Sequence, residues 1–225
     1  GGQHWTPVVS SLAVGGITAI ALDPVTPDHL YVVVDKLGVY ESSDGGVTWN
    51  ARNVGLTDLH ITALVIATND PKILFIGTHN GRIFKTLDGA KTWIATAADW
   101  PGHPIYTLAF APDSTTVVYA GTSYTGTVRG EGVYKSSDGG ISWTAANTGL
   151  QARAVSVLLP DPTRPETLYL GSTDGGFYKS NDGGANWSAM NAGLLSPLVY
   201  TLALDGAVLY AGTLGGGVFT LATNL

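Results

Sequence analysis

The stretch SSDGGVTW, residues 42–49, decides the fold of this chain because it is repeated. Its near-copies are TLDGAKTW (86–93), SSDGGISW (136–143) and SNDGGANW (180–187). The tryptophans that end these stretches, together with Trp5, are separated by 44, 44, 50 and 44 residues. A repeat of this length is typical of propellers and solenoids. A motif that recurs so often is expected to build the fold rather than to run one reaction.

Four short apolar runs return inside each repeat. Twelve residues after each tryptophan an alternating run begins, at Ile17, Ile61, Ile105, Val155 and Val199. In the second repeat the four runs are ITALVI, ILFIGT, GRIFKT and KTWIAT, which we letter A to D. Each has the length and composition of a β-strand and is bounded by Gly, Pro, Asn or Asp. The sequence therefore predicts an all-β fold, a five-bladed β-propeller of four-stranded antiparallel blades.

The two ends of the chain predict how the ring closes. The last repeat has strands A to C and no box, whereas HWTP at residues 4–7 has the tryptophan and the spacing of a D strand. An N-terminal strand that completes the last blade would leave no unpaired edge. We predict one domain over residues 1–225, with repeats at about 10–53, 54–97, 98–147, 148–191, and 192–225 plus 1–9.

The chemistry of the box predicts a turn rather than a metal site. Side-chain oxygens of Ser42 and Asp44 can accept backbone N–H groups, the glycines supply positive φ, and Trp49 covers the turn. A calcium loop needs several carboxylates, and this stretch has one. The structural box residues are Ser42, Asp44, Gly46 and Trp49; Thr86, Asp88 and Trp93; Ser136, Asp138, Gly140 and Trp143; and Ser180, Asp182, Gly184 and Trp187.

The composition excludes several classes of partner. The net charge is -6 and the 11 basic residues are scattered, so a nucleic-acid partner is not expected. The chain has no cysteine, hence neither a disulfide framework nor a thiolate metal site. No apolar run reaches the ~18 residues of a spanning helix, and the first residues lack a signal-peptide pattern, so membrane insertion is not expected.

The pattern S/T-x-D-x-G-x-x-W resembles the Asp-box, or BNR, repeat of sialidases, oligoxyloglucan hydrolases, sortilin-type receptors, some bacterial lectins and photosystem II assembly factors. The resemblance covers nearly the whole chain. It implies a β-propeller whose boxes lie on the rim away from the ligand funnel, and a secreted, periplasmic or cell-surface location. Two departures are Ala90 in place of the usual glycine and TLATNL, which replaces the box in the fifth repeat.

In this strand order the A–B and C–D turns share one face, here called the box face. The B–C and D–A connections share the other, here called the loop face, where propellers usually bind ligands. Its polar or aromatic residues are Asp35, Lys36, Asp58, His60, His79, Asn80, Asp99, Trp100, His103, Tyr124, Arg129, Glu131, Arg153 and Asp174. The B–C loop of the third repeat, SYTGTVRGEG (123–132), carries six extra residues and is either a recognition element or a surface insertion that the fold tolerates. We predict ligand-binding roles for Asn80, Trp100, His103, Tyr124, Arg129, Glu131, Arg153 and Asp174.

Three functions are compatible with these residues. The first is a non-catalytic module that binds a glycan or a protein, without cofactor or metal, as a monomer or as part of a larger chain or assembly; no residue is assigned as catalytic. The second is an Asp-box glycoside hydrolase with an acidic pair drawn from Asp58, Asp99, Glu131 and Asp174. The third is an assembly scaffold, as the resemblance to photosystem II assembly factors implies. The arginine cluster of a sialidase is missing, and the five histidines have no metal-ligand spacing.

Overall fold

The computed structural model describes residues 12, 15–96, 102–124 and 130–223. Within these ranges the chain forms 19 β-strands, arranged as five antiparallel sheets in chain order. Over the same ranges no helix is long and apolar enough to cross a membrane. The prediction of an all-β fold with antiparallel four-stranded units is confirmed.

Each of the first four sheets has four strands, and the fifth has three described strands. The first sheet contains β1 (Ile17–Leu22), β2 (Leu30–Val34), β3 (Gly38–Ser42) and β4 (Asn50–Ala51). The second contains β5 (Ile61–Ile66), β6 (Leu74–Thr78), β7 (Ile83–Thr86) and β8 (Ile94–Ala95). The third contains β9 (Ile105–Phe110), β10 (Val118–Thr122), β11 (Val133–Ser136) and β12 (Thr144–Ala145). The fourth contains β13 (Val155–Pro160), β14 (Leu168–Ser172), β15 (Phe177–Ser180) and β16 (Ser188–Ala189). The fifth contains β17 (Val199–Asp205), β18 (Val208–Thr213) and β19 (Gly217–Ala222).

The A strands begin at the residues that the alternating pattern predicts, because both the pattern and the strand follow the same period of two. The D strands are shorter than predicted. In the second sheet only Ile94–Ala95 pair with strand C, whereas KTWIAT was expected to form the whole strand. The tryptophan before them is not part of the ladder, because its side chain packs between two sheets.

The sheets contact one another through their A strands, in the order β1, β5, β9, β13 and β17. Glycines in strand B make this approach possible. A Cβ on Gly77 would lie 2.3 Å from Cγ2 of Ile105, and one on Gly121 would lie 2.7 Å from Cγ1 of Val155. Ile105 and Val155 are completely buried, so the second and third sheets each receive the first A-strand side chain of the next sheet.

The second residue of each A strand is a bulge, where the register with strand B shifts. A bulge can re-aim a side chain out of the sheet. Three of these residues carry a hydroxyl that donates to the first carbonyl of the next A strand, namely Thr18 to Ile61, Thr62 to Ile105 and Ser156 to Val199. The bulge therefore links neighbouring sheets as well as bending its own strand.

The first and fifth sheets do not share this packing in the described residues. On β1, the side chains of Ile17, Ile20 and Leu22 are 52%, 62% and 60% exposed. A Cβ on Gly212 in β18 would meet only Thr201 of its own sheet, although glycines at this position elsewhere face the next A strand. Closure of the ring stays a prediction, and the closing strand at residues 1–9 lies outside the described residues.

The box forms the same hydrogen-bonded turn in all four sheets that carry it. In the first, Gly46 N–H donates to Ser42 Oγ at 2.8 Å, and Asp44 accepts the N–H and the hydroxyl of Thr48 at 2.9 and 2.5 Å. The hydrogen bonds from Thr48, together with that from Ser42, lower the pKa of Asp44 to about 2. Asp88, Asp138 and Asp182 accept the equivalent hydrogen bonds from Thr92, Ser142 and Asn186, and they have the same pKa of about 2. The predicted turn is confirmed.

The box tryptophan also binds the preceding sheet, which the sequence did not reveal. The indole N–H of Trp93 donates to the carbonyl of Arg52 at 2.7 Å, and that of Trp187 donates to Ala146 at 2.9 Å. Both side chains are buried, at 3% and 4% exposure. A buried indole needs a partner for its N–H, and here the partner is the residue that follows the D strand of the preceding sheet.

Ala90 adopts the left-handed conformation of the glycine that it replaces. Its φ is 60°, compared with 91° for Gly46 and 81° for Gly140. Its N–H still donates to Thr86 Oγ1 at 3.1 Å. A non-glycine residue at positive φ is strained, so the second box keeps its geometry at a cost in free energy.

Acidification should weaken the boxes. Each box aspartate has a folded pKa of about 2, below its ordinary 3.8, so its contribution to stability is present above about pH 4 and is lost as the pH falls towards 2. We expect the melting temperature to fall over this window. Asp138→Asn should start lower and fall less steeply, whereas Asp113→Asn, outside the boxes, serves as the matched control. Calorimetry across this window measures both slopes, and equal slopes in the two variants would contradict the assignment.

Candidate functional site

The long B–C loop of the third sheet is held against two D–A connections. At its start, Ser123 N–H donates to the carbonyl of Pro104 at 3.1 Å. Near its end, Gly132 N–H donates to the carbonyl of Arg153 at 3.3 Å. A Cβ on Gly130 would lie 2.1 Å from that carbonyl, so only glycine allows the loop to approach so closely. The loop therefore joins the loop-face ends of the third and fourth sheets.

Glu131 is fixed by three groups around it. Its N–H donates to Thr122 Oγ1 at 2.7 Å, and its Oε2 accepts the hydroxyl of Tyr134 at 2.8 Å. Its Oε1 lies 3.3 Å from Nε2 of His103. Burial raises the pKa of Tyr134 to about 12, and the hydrogen bond to the carboxylate of Glu131 contributes to the same shift. The tyrosine thus remains a hydrogen-bond donor at neutral pH.

Asp174 organises the other half of this surface. Its Oδ2 accepts the hydroxyl of Tyr124 at 2.7 Å, across 50 residues of sequence. It also accepts the backbone N–H groups of Arg153 at 3.0 Å and of Ala154 at 3.1 Å. Asp174 therefore fixes the backbone from which Arg153 extends, while the arginine side chain itself is exposed.

An asparagine that recurs in three repeats holds the B–C turn of its own sheet through two hydrogen bonds. In the third sheet, Asn147 Oδ1 accepts Val133 N–H at 2.8 Å and its Nδ2 donates to the carbonyl of Glu131 at 2.8 Å. Asn53 and Asn191 make the same pair of bonds in the first and fourth sheets. One amide side chain thus ties each of these D–A connections to the B–C hairpin of its own sheet.

The structure brings together five of the eight predicted ligand-binding residues. With Tyr134 they form what we call the loop-face site: His103, Tyr124, Glu131, Tyr134, Arg153 and Asp174. Asn80 does not join them, because its Nδ2 donates to Asp58 Oδ2 at 3.1 Å on the second sheet. Trp100 and Arg129, like Asp99, lie outside the described residues.

Asn80 belongs to a second polar group on the loop face, between the first and second sheets. There the rings of His60 and His79 stack with centroids 4.3 Å apart, and His60 Nε2 lies 3.5 Å from Asp35 Oδ1. Burial lowers the pKa of His79, and repulsion from His60 lowers it further. His103 lies apart from this pair, bonded to Glu131 in the third sheet's loop. Among the residues that the structure describes, no group of His, Cys, Asp and Glu could hold a metal ion.

His29, in the A–B turn of the first sheet, takes part in an ion cluster. Its Nδ1 lies 2.9 Å from Asp23 Oδ2 and its Nε2 lies 2.7 Å from Glu41 Oε1, while Glu41 also binds Arg52. Burial would lower the pKa of His29, but the hydrogen bonds to the two carboxylates outweigh it and raise the pKa. All four side chains satisfy one another, so this cluster has a structural role.

Sequence reasoning missed Tyr134 and Asn147. The signal for Asn147 was present, because N-x-G-L recurs as NVGL, NTGL and NAGL at residues 53–56, 147–150 and 191–194. Its partners on the B–C turn lie 14 and 16 residues away and could not be inferred from the repeat alone. Tyr134 had no signal of its own, because other C strands also carry a tyrosine, as at Tyr40 and Tyr178.

Both described carboxylates of the loop-face site accept hydrogen bonds or ion pairs from the protein. The Asp174 carboxylate receives a hydroxyl and two backbone N–H groups, and the Glu131 carboxylate is held by Tyr134 and His103. Around them the site offers the exposed ring of Tyr124 and the guanidinium of Arg153. Fixed acceptors beside an aromatic ring and a cation suit a polar ligand with apolar parts.

Fold and site together define a β-propeller of Asp-box type with one elaborated loop on its loop face. The family model described as photosynthesis system II assembly factor YCF48 matches residues 3–158. The chain belongs to this family. No curated protein matches it in sequence.

Solved structures show the same fold. An ancestral GH74 enzyme superposes with a TM-score of 0.80 at 24% identity, over 94% of this chain and 30% of that one. The GH74 xyloglucanase of Xanthomonas campestris gives 0.73 at 20% identity, over 95% and 38%. YCF48 bound to a D1 peptide gives 0.67 at 15% identity, over 94% and 64%. The chain thus spans less than two thirds of each of these proteins, and the similarity establishes the propeller fold.

Replacing Asn147 should loosen the loop-face site. Asn147→Ala removes both bonds and leaves the Val133 N–H and the Glu131 carbonyl without this partner, at a cost of about 2 kcal/mol. We expect faster amide hydrogen exchange at Glu131 and Val133. Asn191→Ala removes the same two bonds from the fourth sheet and is the matched control. It should lower the melting temperature equally and leave exchange at Glu131 unchanged; equal exchange at Glu131 in both variants would contradict a local role for Asn147.

Proposed function

We propose that this protein is a non-catalytic module that binds an extended segment of a partner protein at the loop-face site, and so serves in the assembly of a larger complex. The observation that carries the proposal is the site itself. Two carboxylates are fixed by donors from the protein, next to an exposed aromatic ring and an exposed cation. Such a surface is prepared to receive a ligand without first rearranging, which reduces the entropic cost of binding.

A protein partner is favoured over a glycan by the relatives. The chain belongs to the family of an assembly factor, and one structural neighbour, YCF48, is bound to a D1 peptide. The residue types fit the same choice, because tyrosine and arginine dominate the energetics of protein interfaces. Tyr124, with 37% of its surface exposed, would contact an apolar side chain. Arg153 would bind a carboxylate or a backbone carbonyl of the segment.

Glycan recognition and glycoside hydrolysis are the competing functions. A hydrolase needs one carboxyl group free to protonate the leaving group and another to act on the sugar or on water. Of the four predicted acids, Asp174 and Glu131 are held by donors, and Asp58 accepts from Asn80 and from the N–H of His60. This occupation favours a binding role. A secreted, periplasmic or cell-surface location remains part of the proposal.

Paired arrays test the proposed ligand class. The chain is applied to an array of overlapping peptides that includes the D1 sequence and to a glycan array. We expect binding to peptides, weakened about tenfold or more by Tyr124→Ala and by Arg153→Ala, since loss of a central contact costs more than ~1.4 kcal/mol. Lys91→Ala, on the box face, should bind normally. Binding confined to glycans, with loss in the same variants, would replace the protein partner by a sugar, and release of sugar from xyloglucan would support the hydrolase.

We also propose that residues 1–225 close into one ring of five blades, with the segment at residues 1–9 as the outer strand of the fifth. Two features support closure. Gly212 stands at the strand-B position where Gly77, Gly121 and Gly171 receive the next A strand. Ile17, which would be that residue, exposes an apolar side chain that has no counterpart among the other four A strands, whose first residues are completely buried.

Closure makes Ile17 a core residue. We therefore expect Ile17→Ala to lower the free energy of unfolding by about 3 kcal/mol, close to the effect of the matched variant Ile105→Ala. Denaturant titration measures both changes. If the ring is open, Ile17 is a surface residue and its replacement should stay within about 0.5 kcal/mol, while Ile105→Ala remains costly.

A further inference from the structure

One apolar cavity of the described structure lies between the fourth and fifth sheets. Its walls include Phe177, Met190, Gly193, Leu194, Leu209 and Phe219. Its volume of about 140 Å³ is several times the roughly 15 Å³ that a single water requires. An apolar cavity of this size at a sheet junction suggests a site for a large side chain.

The position of this cavity corresponds to that of a box tryptophan at the junctions of the first with the second sheet and of the third with the fourth. In the second and fourth sheets, the tryptophan makes two bonds to the sheet before it. The indole N–H of Trp187 donates to the carbonyl of Ala146, and its backbone N–H donates to the carbonyl of Thr148 at 2.8 Å. Trp93 makes the corresponding bonds to Arg52 and Val54, at 2.7 and 2.8 Å.

The fourth sheet presents the same acceptors to the cavity. Met190 and Ala192 follow Ala146 and Thr148 by 44 residues, and both line the cavity. The space around the next residue, Gly193, is the clearest indication that a tryptophan fits here. A Cβ on Gly149 would lie 2.3 Å from the carbonyl of Trp187, and one on Gly55 would lie 2.1 Å from that of Trp93, whereas Gly193 meets nothing within 4 Å. The fourth sheet thus offers carbonyl acceptors for the indole N–H and the backbone N–H of a tryptophan, and the space beside Gly193 is large enough for its backbone.

Among the described residues, no strand pairs with the outer edge of the fifth sheet, which lies beside this cavity. In the fourth sheet, Tyr178 and Lys179 of β15 pair with Ala189 and Ser188 of β16. The residues at the same register of β19 are Phe219 and Thr220, and the described part of the fifth sheet ends with β19. A strand that carried a tryptophan just before its paired residues would fill the cavity and cover the edge together.

We propose that this cavity is the binding site for the indole of Trp5, a proposal that rests on the ring closure proposed above. Trp5 precedes Ile17 by twelve residues, as Trp49, Trp93, Trp143 and Trp187 precede the A strands that follow them. In this register the indole N–H donates to the carbonyl of Met190, the backbone N–H donates to that of Ala192, and Thr6 pairs with Thr220.

Pro7 is compatible with this register. It corresponds to Ala51, which lies opposite Tyr40 in the first sheet. The N–H of the next residue, Arg52, donates to Val39 at 2.8 Å, so hydrogen bonds point inward at residues 50 and 52 and the N–H at 51 points away from the sheet. An outermost strand tolerates proline at such a position.

A disulfide tests the strand register in the full chain. The chain has no cysteine, so Thr6→Cys with Thr220→Cys creates a single possible pair, whose Cα atoms would be about 5.5 Å apart in a hydrogen-bonded pair. We expect an intramolecular disulfide in the monomer. Thr6→Cys with Thr213→Cys, at the other end of the fifth sheet, is the control and should stay reduced. A disulfide between two copies, or none, would overturn both the closure and the proposed occupant.

The indole is tested separately, in the chain that carries this disulfide. Trp5→Ala should lower the melting temperature by about 10 °C and Trp5→Phe by less, because a phenyl ring refills part of the cavity. Fluorine NMR of the 5-fluorotryptophan-labelled chain, with the Trp5 signal assigned by Trp5→Phe, should show that signal shielded from a soluble paramagnetic probe. An exposed signal together with an unchanged melting temperature would overturn the site for Trp5 while leaving the closure intact.

Discussion

The bond from a box tryptophan to the sheet before it is the constraint on which the rest of this structure depends. The turn made by Ser180, Asp182 and Gly184 fixes where Trp187 leaves its own sheet. The indole then crosses the junction, and its N–H is satisfied by Ala146. Because Trp93 and Trp187 each reach back by one sheet, stability is shared between neighbours, as in other repeat proteins. The box therefore joins neighbouring sheets, because its hydrogen-bonded turn directs the tryptophan towards the preceding sheet.

Because the boxes and their tryptophans join the sheets, the sequence of the loop face can vary. The box face repeats one geometry four times, and the asparagines at 53, 147 and 191 hold three B–C hairpins in the same way. Against this regular frame, the third repeat inserts six residues, and its long loop brings Tyr124 to Asp174 and Gly132 to the carbonyl of Arg153. Because Asn147 holds the base of this loop through two hydrogen bonds, the sequence of the insertion can change without disturbing the contacts between sheets. Recognition is therefore expected at the irregular loop, where changes in sequence leave the core contacts intact.

The sequence was sufficient for the strands and the turns because both are local. Alternation over six residues located the A strands, and the composition of the box determined its turn. The contacts that build the site are not local. Tyr124 meets Asp174 across 50 residues, and the bond from Trp93 to Arg52 spans 41. No spacing in a single repeat encodes such pairs. For the same reason the spacing of the histidines did not show that the fold stacks His60 on His79 and places His103 with Glu131.

The parts of each join also bear on whether five sheets can form a ring. The joins that follow the second, third and fourth sheets use a glycine in strand B and a bulge residue at the start of strand A, and a box tryptophan also contributes. The bulge hydroxyl is dispensable, because the third sheet has Tyr106 at that position and its A strand still contacts that of the fourth. Tyr200 holds the same position in the fifth sheet, so having a tyrosine there instead of Ser or Thr does not argue against closure. Gly212 supplies the small residue. The join from the fifth sheet to the first therefore has the same components as the intact join between the third and the fourth, and what differs is that Ile17 has not been brought against Gly212.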